Sequence, residues 1–128
     1  MAYEIVPKAL WSKNTELAIY EKGNFATCVG VENSNGEKID AVALDDFLKG
    51  KAVTFLKMDI EGAELEALCG AKKLIESQKP RLAVSIYHKR EDIWTLPKYI
   101  LEICPDYKFF LRHYSFGDYD TVLYAIPS

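Results

Sequence analysis

Two short apolar segments, separated by one helical segment, constrain the fold of this chain more than any other feature. Residues 53–58 (VTFLKM) and residues 81–87 (RLAVSIY) have the length and composition of buried strands. Between them, residues 63–77 carry apolar side chains at helical spacing, and Pro80 ends that segment. A strand, a helix and a strand joined by short turns predict two adjacent parallel strands.

The segments that follow predict a second helix and a terminal hairpin. A helix is expected near residues 95–103, where Pro97 fits only if it lies in the first turn. Residues 107–114 and 119–126 read as two strands, and the four residues between them suit a hairpin loop. Residues 51–128 are therefore expected to run β-α-β-α-β-β, with parallel strands and a C-terminal antiparallel hairpin.

The first part of the chain, residues 1–50, is predicted to be rich in short strands. We expect one helical turn at residues 44–48, ended by Gly50, and turns at residues 23–24 and 32–37. The strands are expected at residues 3–11, 16–20, 26–31 and 39–44. No catalytic pattern occurs there, and the length of 128 residues fits one domain made of both parts.

Composition excludes several classes of protein. A net charge of -3 lacks the basic character of a nucleic-acid-binding protein. The three cysteines show no paired spacing, which indicates reduced thiols in a cytoplasmic protein and no cysteine-based zinc site. The N-terminus lacks the pattern of a signal peptide, and no apolar run approaches the ~20 residues of a membrane span. We therefore expect a soluble, intracellular protein without a metal or a membrane partner.

Candidate functional residues follow the two central strands, because ligands of parallel sheets bind beyond the carboxyl ends of their strands. Lys57 and Asp59 point to the same face of the first strand. A buried lysine is costly unless it is paired, here with Asp59 or Glu61. Two interpretations stay open: a charged cluster that holds a ligand, or an ion pair that only fixes the turn.

The neighbouring residues have two interpretations each. Glu61 either belongs to the ligand site or complements the helix dipole, and Glu64 is assigned to the dipole. Gly62 allows the turn from strand to helix. His88 is either a general base or a partly exposed loop residue. His113 is expected to face inward and to be hydrogen-bonded within its strand.

Several of these segments resemble the FkbM methyltransferase family. LDDFL, followed by VTFLKMDIEGAELEALCGAKKLI, contains the family's LDD and its KxDxEGxE pattern at the end of a strand. The segments PKALW, KPRLAVSIYHK and FFLRHYS are also similar to the family, so the resemblance covers almost the whole chain. The matching positions are Leu44, Asp45 and Asp46, and then Lys57, Asp59, Glu61, Gly62 and Glu64.

The resemblance implies the C-terminal part of a class I, Rossmann-like methyltransferase sheet with strand order 3-2-1-4-5-7-6. It implies S-adenosylmethionine as cofactor and methylation of a hydroxyl group on a small molecule or sugar. Asp59 and His88 would be the catalytic residues. Residues that would bind the cofactor are Ala9, Leu10, Trp11, Asp59, Ile60 and Glu61. Residues that would support the site are Lys57, Gly62 and His113.

One departure from the family is large, since no glycine-rich run precedes residue 53. We expect the missing half to precede Met1 and cofactor binding by this chain alone to be weak. The strand at residues 53–58, apolar on both faces, would then have a free edge, which either the N-terminal strand or a second copy covers.

Two other functions stay open at this point. One is an inactive methyltransferase remnant that acts as an interaction module. The other is a magnesium-dependent enzyme with Asp59, Glu61 and Glu64 as oxygen ligands, which Lys57 opposes.

Overall fold

The first half of the chain forms a four-stranded sheet, ordered β1-β4-β2-β3. The computed structural model describes residues 2–21, 27–30 and 37–128. The strands are β1 (Ala9–Leu10), β2 (Thr15–Glu21), β3 (Thr27–Gly30) and β4 (Lys38–Val42), followed by the short helix α1 (Leu44–Phe47). Only β1 and β4 pair in parallel, and β2 runs antiparallel to both of its neighbours. The expected β-rich section is confirmed. Most of its predicted turns lie outside the described residues.

The second half forms a separate four-stranded sheet, ordered β5-β6-β8-β7. Its strands are β5 (Phe55–Met58), β6 (Arg81–Ser85), β7 (Tyr107–His113) and β8 (Thr121–Pro127). The predicted parallel pairing of β5 with β6 and the predicted antiparallel hairpin of β7 with β8 are both confirmed. Three helices connect these strands: α2 (Glu64–Cys69), α3 (Lys72–Gln78) and α4 (Asp92–Ile103). No helix in the described part of the chain has the length and apolar character needed to cross a membrane.

The core lies between this second sheet and its helices. Apolar side chains from one face of β5, β6 and β8 pack against α2, α3 and α4. Tyr107 closes one end of the core, where its hydroxyl donates a hydrogen bond of 2.6 Å to the carbonyl of Pro80. The fully buried members are Met58, Leu82, Val84, Leu68, Ile75, Leu96 and Ile100.

The opposite face of the second sheet is exposed at β5 and β7, although Ala83 of β6 is buried there, so the prediction that β5 is buried on both faces is wrong. Lys57 is exposed, and 55% of Phe55 is exposed. Phe110 and Ile126, which the strand register places on the same face, are exposed as well. The reason is that α2, α3 and α4 all pack on the other face.

Two sequence predictions about element bounds also need correction. The strand expected at residues 3–11 is only Ala9–Leu10, and it pairs with β4 rather than with the free edge of β5. Helix α4 begins at Asp92, so Pro97 lies in its second turn instead of its first. The proline leaves the carbonyl of Ile93 without a helical donor. Ile93 is exposed, so water can replace that donor.

The single helix expected at residues 63–77 is divided into α2 and α3 by a close approach of the first sheet. A Cβ atom on Gly70 would lie 2.1 Å from the carbonyl oxygen of Trp11. The carbonyl of Gly70 accepts a hydrogen bond of 2.7 Å from the amide of Asp45. The amides of Lys73 and Leu74, in the first turn of α3, donate to the carboxylate of Asp45 at 3.0 and 2.8 Å. Asp45 therefore holds both the end of α2 and the start of α3.

We predict that Asp45→Ala lowers the free energy of unfolding by about 1–2 kcal/mol, because it leaves two helix amides without their acceptor. Asp46→Ala is the matched control, since the neighbouring Asp46 is exposed and should change stability by less than about 0.5 kcal/mol. Urea unfolding of both variants measures the difference. Equal stability of the two variants would contradict this role of Asp45.

Candidate functional site

The turn between β5 and α2 has an unusual backbone. Glu61 and Gly62 both have positive φ, of 56° and 96°. Glycine adopts this region readily, whereas a glutamate there costs on the order of 1 kcal/mol. The turn places the carboxylates of Asp59 and Glu61 at the carboxyl end of β5, with side-chain exposures of 41% and 39%. A strained residue that keeps an acidic side chain at a strand end indicates a functional use of that side chain.

Glu64 lies at the centre of the site. It is 0% exposed, and its Oε1 accepts a hydrogen bond of 3.0 Å from the amide of Ile60. The same oxygen lies 2.8 Å from Nδ1 of His88. Glu64 occupies the first turn of α2, as expected. It is also buried against His88, so complementing the helix dipole is not its whole role. The residue connects the turn after β5 with the segment after β6.

His88 reaches the carboxylates that follow β5, as the strand-end rule predicts. Its Nε2 lies 3.4 Å from Asp59 Oδ1 and 3.5 Å from Glu61 Oε2. The residue lies in the loop after β6 and is half-buried, with 8% of its side chain exposed, so both interpretations of His88 stay open. Neither ring nitrogen makes a well-aligned hydrogen bond.

The contact between Glu64 and His88 favours the ionised form of each group. Burial alone would raise the pKa of Glu64, but the contact with His88 and the Ile60 amide outweigh it, and that pKa is lowered. Burial alone would lower the pKa of His88, but Glu64, Glu61 and Asp59 outweigh it, and that pKa is raised. The two groups therefore stabilise each other's charge.

Two residues of this site were missed by sequence reasoning. The Tyr87 hydroxyl donates a hydrogen bond of 3.2 Å to Asp59 Oδ1, and the Tyr87 and His88 ring centroids lie 4.1 Å apart. Burial and the nearby Asp59 raise the pKa of Tyr87 to about 12. Asp92, at the start of α4, is 3% exposed, and burial together with Glu64 raises its pKa to about 6. The position of Tyr87 beside His88 could have identified it, whereas nothing in the sequence marks Asp92 as buried.

Two predicted support residues do not join this cluster. Lys57 lies on the open face of the second sheet and is exposed, so the cost of a buried ammonium group does not arise. His113 lies on β7, the strand farthest from β5 in the sheet. It is exposed, with Nδ1 2.8 Å from Thr121 Oγ1, so the prediction of an inward-facing histidine is wrong although its hydrogen bond is present.

An apolar cleft of about 260 Å³ lies beside the acidic turn. It is formed between strands of the first sheet and the segment that follows β5. Four predicted cofactor residues, Ala9, Leu10, Ile60 and Glu61, line it together with Lys8, Val29, Ile39 and Ala63. Trp11 is not among the lining residues, and its carbonyl packs at Gly70 instead. Glu61 is shared by the cleft and the charged cluster.

Comparison with known proteins identifies the class of protein that this fold and site define. The sequence profile of the Methyltransferase FkbM domain matches residues 2–116. A 2.20 Å crystal structure of Methyltransferase FkbM from Methylobacillus flagellatus KT is similar, with a TM-score of 0.73 and 36% sequence identity. The match covers 92% of this chain and 27% of that one. None of the curated proteins matches. The chain belongs to the FkbM methyltransferase family, which confirms the resemblance seen in the sequence.

We predict that Glu64→Ala lowers the free energy of unfolding by about 3 kcal/mol, because it removes the nearest and only fully buried of the three carboxylates that contact His88. Glu66→Ala, on the same helix and only half-buried, is the control and should cost far less. The double variant Glu64→Ala/His88→Ala should lose less than the sum of the two single variants. Additive losses in urea unfolding would show that the two residues do not act together.

Proposed function

We propose that this chain is part of an S-adenosylmethionine-dependent O-methyltransferase with the class I, Rossmann-like fold. Membership of the FkbM family supports this, as does the sheet order β5-β6-β8-β7, which corresponds to the 4-5-7-6 portion of that fold. The observation that carries the proposal is the position of Asp59 and Glu61 at the carboxyl end of β5, where Glu61 also lines the apolar cleft although Asp59 does not. Such strand ends are where parallel sheets bind their ligands.

The chemistry of the site suits the two ends of the cofactor. The adenine ring would lie in the cleft against Ala9, Leu10 and Ile60, since this cleft is mostly apolar. The methionine end carries a sulfonium and an ammonium group, and the carboxylates of Asp59 and Glu61 would attract both positive charges. When bound, the cofactor supplies an electrophilic methyl group. The chain covers 27% of the similar FkbM structure, so these residues account for only part of the contacts proposed for the cofactor.

Asp59 is the residue best placed to receive the proton of an acceptor hydroxyl. Its side chain is 41% exposed, whereas that of His88 is 8% exposed and faces three carboxylates. Tyr87 donates to Oδ1 of Asp59, which leaves Oδ2 for the substrate. We therefore assign the role of the base to Asp59 alone, whereas the sequence left it open between Asp59 and His88. We assign to His88 the positioning of the Asp59 and Glu61 carboxylates.

The acceptor is proposed to be a small molecule or a sugar, and the protein to act in the cytoplasm. The net charge of -3 supports a partner other than a nucleic acid. Cys69 and Cys104 are free thiols, which fits a reducing compartment.

A second candidate function is an inactive relative that serves as an interaction module. The open face of the second sheet favours it, because Phe55, Phe110 and Ile126 are exposed there. The partner would be a second copy that pairs through the free edge of β5. Sedimentation would then show a concentration-dependent dimer without cofactor binding, whereas a monomer that binds S-adenosylmethionine favours the enzyme.

In an active preparation of this chain, or of a longer protein that includes it, we predict that Asp59→Asn lowers kcat at least about 10²-fold, because the base is lost. The KM for S-adenosylmethionine should change much less. His113→Asn, a substitution far along the sheet, is the control and should leave both constants unchanged. Transfer of a labelled methyl group measures them, and full turnover by Asp59→Asn would remove Asp59 from the mechanism.

A further inference from the structure

We propose that Asp59, Glu61 and His88 form a binding site for a divalent transition-metal ion. One ligand atom from each residue lies within 4.8 Å of the other two. Nε2 of His88 is 3.4 Å from Asp59 Oδ1 and 3.5 Å from Glu61 Oε2. Ligand atoms about 2.1 Å from a tetrahedral ion such as Zn²⁺ lie about 3.4 Å from each other. The distances from His88 Nε2 to the two carboxylate oxygens therefore already match those of a tetrahedral site.

His88 is oriented as a metal ligand independently of the two carboxylates. Its side chain is more than nine-tenths buried, and Nε2 lies between Asp59 and Glu61 without a well-aligned hydrogen bond. A metal ion bound there would displace the proton that the carboxylates favour on the imidazole. Its other nitrogen, Nδ1, lies 2.8 Å from Glu64, which the amide of Ile60 holds in place. A carboxylate on the far side of the ring is the usual support of a metal-bound imidazole, and here Glu64 provides it as an ion-pair contact rather than a well-aligned hydrogen bond. The Tyr87 hydroxyl supports Asp59 Oδ1 through a hydrogen bond.

The charge and donor types indicate which ions fit. The four carboxylates of Asp59, Glu61, Glu64 and Asp92 lie near one imidazole and the ammonium group of Lys89. The cluster therefore still has an excess of carboxylates that a cation would stabilise. An imidazole nitrogen with two carboxylate oxygens suits Zn²⁺ or Mn²⁺ better than Mg²⁺ or Ca²⁺, which prefer oxygen alone. The ligands also differ from the set Asp59, Glu61 and Glu64 that the sequence suggested, because Glu64 faces His88.

Three protein ligands leave at least one coordination position open. Asp59 and Glu61 are partly exposed, so this position is accessible. If the proposed methyl transfer is correct, the ion would bind the acceptor hydroxyl there and lower its pKa, and Asp59 Oδ2 would take the proton. Metal binding itself does not depend on that reaction, so the metal site and the methyl transfer can fail separately.

The test is calorimetric titration of the metal-free chain with Zn²⁺, in the absence of S-adenosylmethionine. We expect one ion per chain with a Kd of about 1 μM or lower. Glu61→Gln should weaken binding at least about tenfold and should keep the fold, since Glu61 lies on the surface of the turn. His88→Ala should abolish it. The Co²⁺-loaded chain should show the visible absorption of a tetrahedral site, which Glu61→Gln removes.

Two control variants separate this site from other donors. His113→Ala removes the other histidine of the chain, and Cys69→Ser removes a partly exposed thiol. Both should bind Zn²⁺ as the unmodified chain does. The proposal is overturned if Zn²⁺ does not bind, if Glu61→Gln and His88→Ala bind it unchanged, or if Cys69→Ser abolishes binding.

Discussion

Glu64 is buried where three segments of the chain meet, and its contact with His88 determines the arrangement of the site. The carboxylate accepts a hydrogen bond from the Ile60 amide and lies 2.8 Å from the imidazole of His88. Asp92, at the start of α4, lies close enough for the charge of Glu64 to raise its pKa. A buried carboxylate without partners is costly, so these segments are held together. The parallel pairing of β5 with β6 brings the carboxyl ends of both strands to the same end of the sheet. The contact between Glu64 and His88 then holds the segments that follow the two strands together.

The docking of the first sheet against α2 and α3 is the second constraint, and it creates the cleft. Gly70 lets the carbonyl of Trp11 approach the helix break. Asp45 bonds to both sides of that break, because its amide donates to the Gly70 carbonyl and its carboxylate accepts from the amides of Lys73 and Leu74. This contact places Ala9 and Leu10 opposite Ile60, across the cleft. The charged cluster and the apolar cleft thus depend on different contacts and meet at Glu61.

The sequence predicted those parts of the structure that follow from local pattern. The parallel pair and the placement of Asp59 and His88 at the same end of the sheet came from strand-helix-strand alternation, and the hairpin came from the four residues that separate two strand-like segments. The burial of Glu64 could not be predicted, because acidic residues are common in the first turn of a helix and most of them are exposed. The sequence does not distinguish a buried glutamate at this position from an exposed one. The helix break at Gly70 was missed, since the apolar stripe continues through it. The exposure of one face of β5 was missed because the sequence of this strand places apolar residues on both faces. It therefore does not indicate which face the helices cover.

We propose that the cleft beside the acidic turn is the cofactor side of an FkbM-type methyltransferase site. The most direct measurement is a titration of the isotope-labelled chain with S-adenosylmethionine, followed through its backbone amide resonances. We expect saturable shifts at Ala9, Leu10, Ile60 and Glu61, with the amide of His113 unaffected. The Kd should be about 1 mM, or about -4 kcal/mol, for a chain that holds part of the cofactor contacts. Shifts confined to other surfaces, or no shifts at several millimolar cofactor, would contradict it.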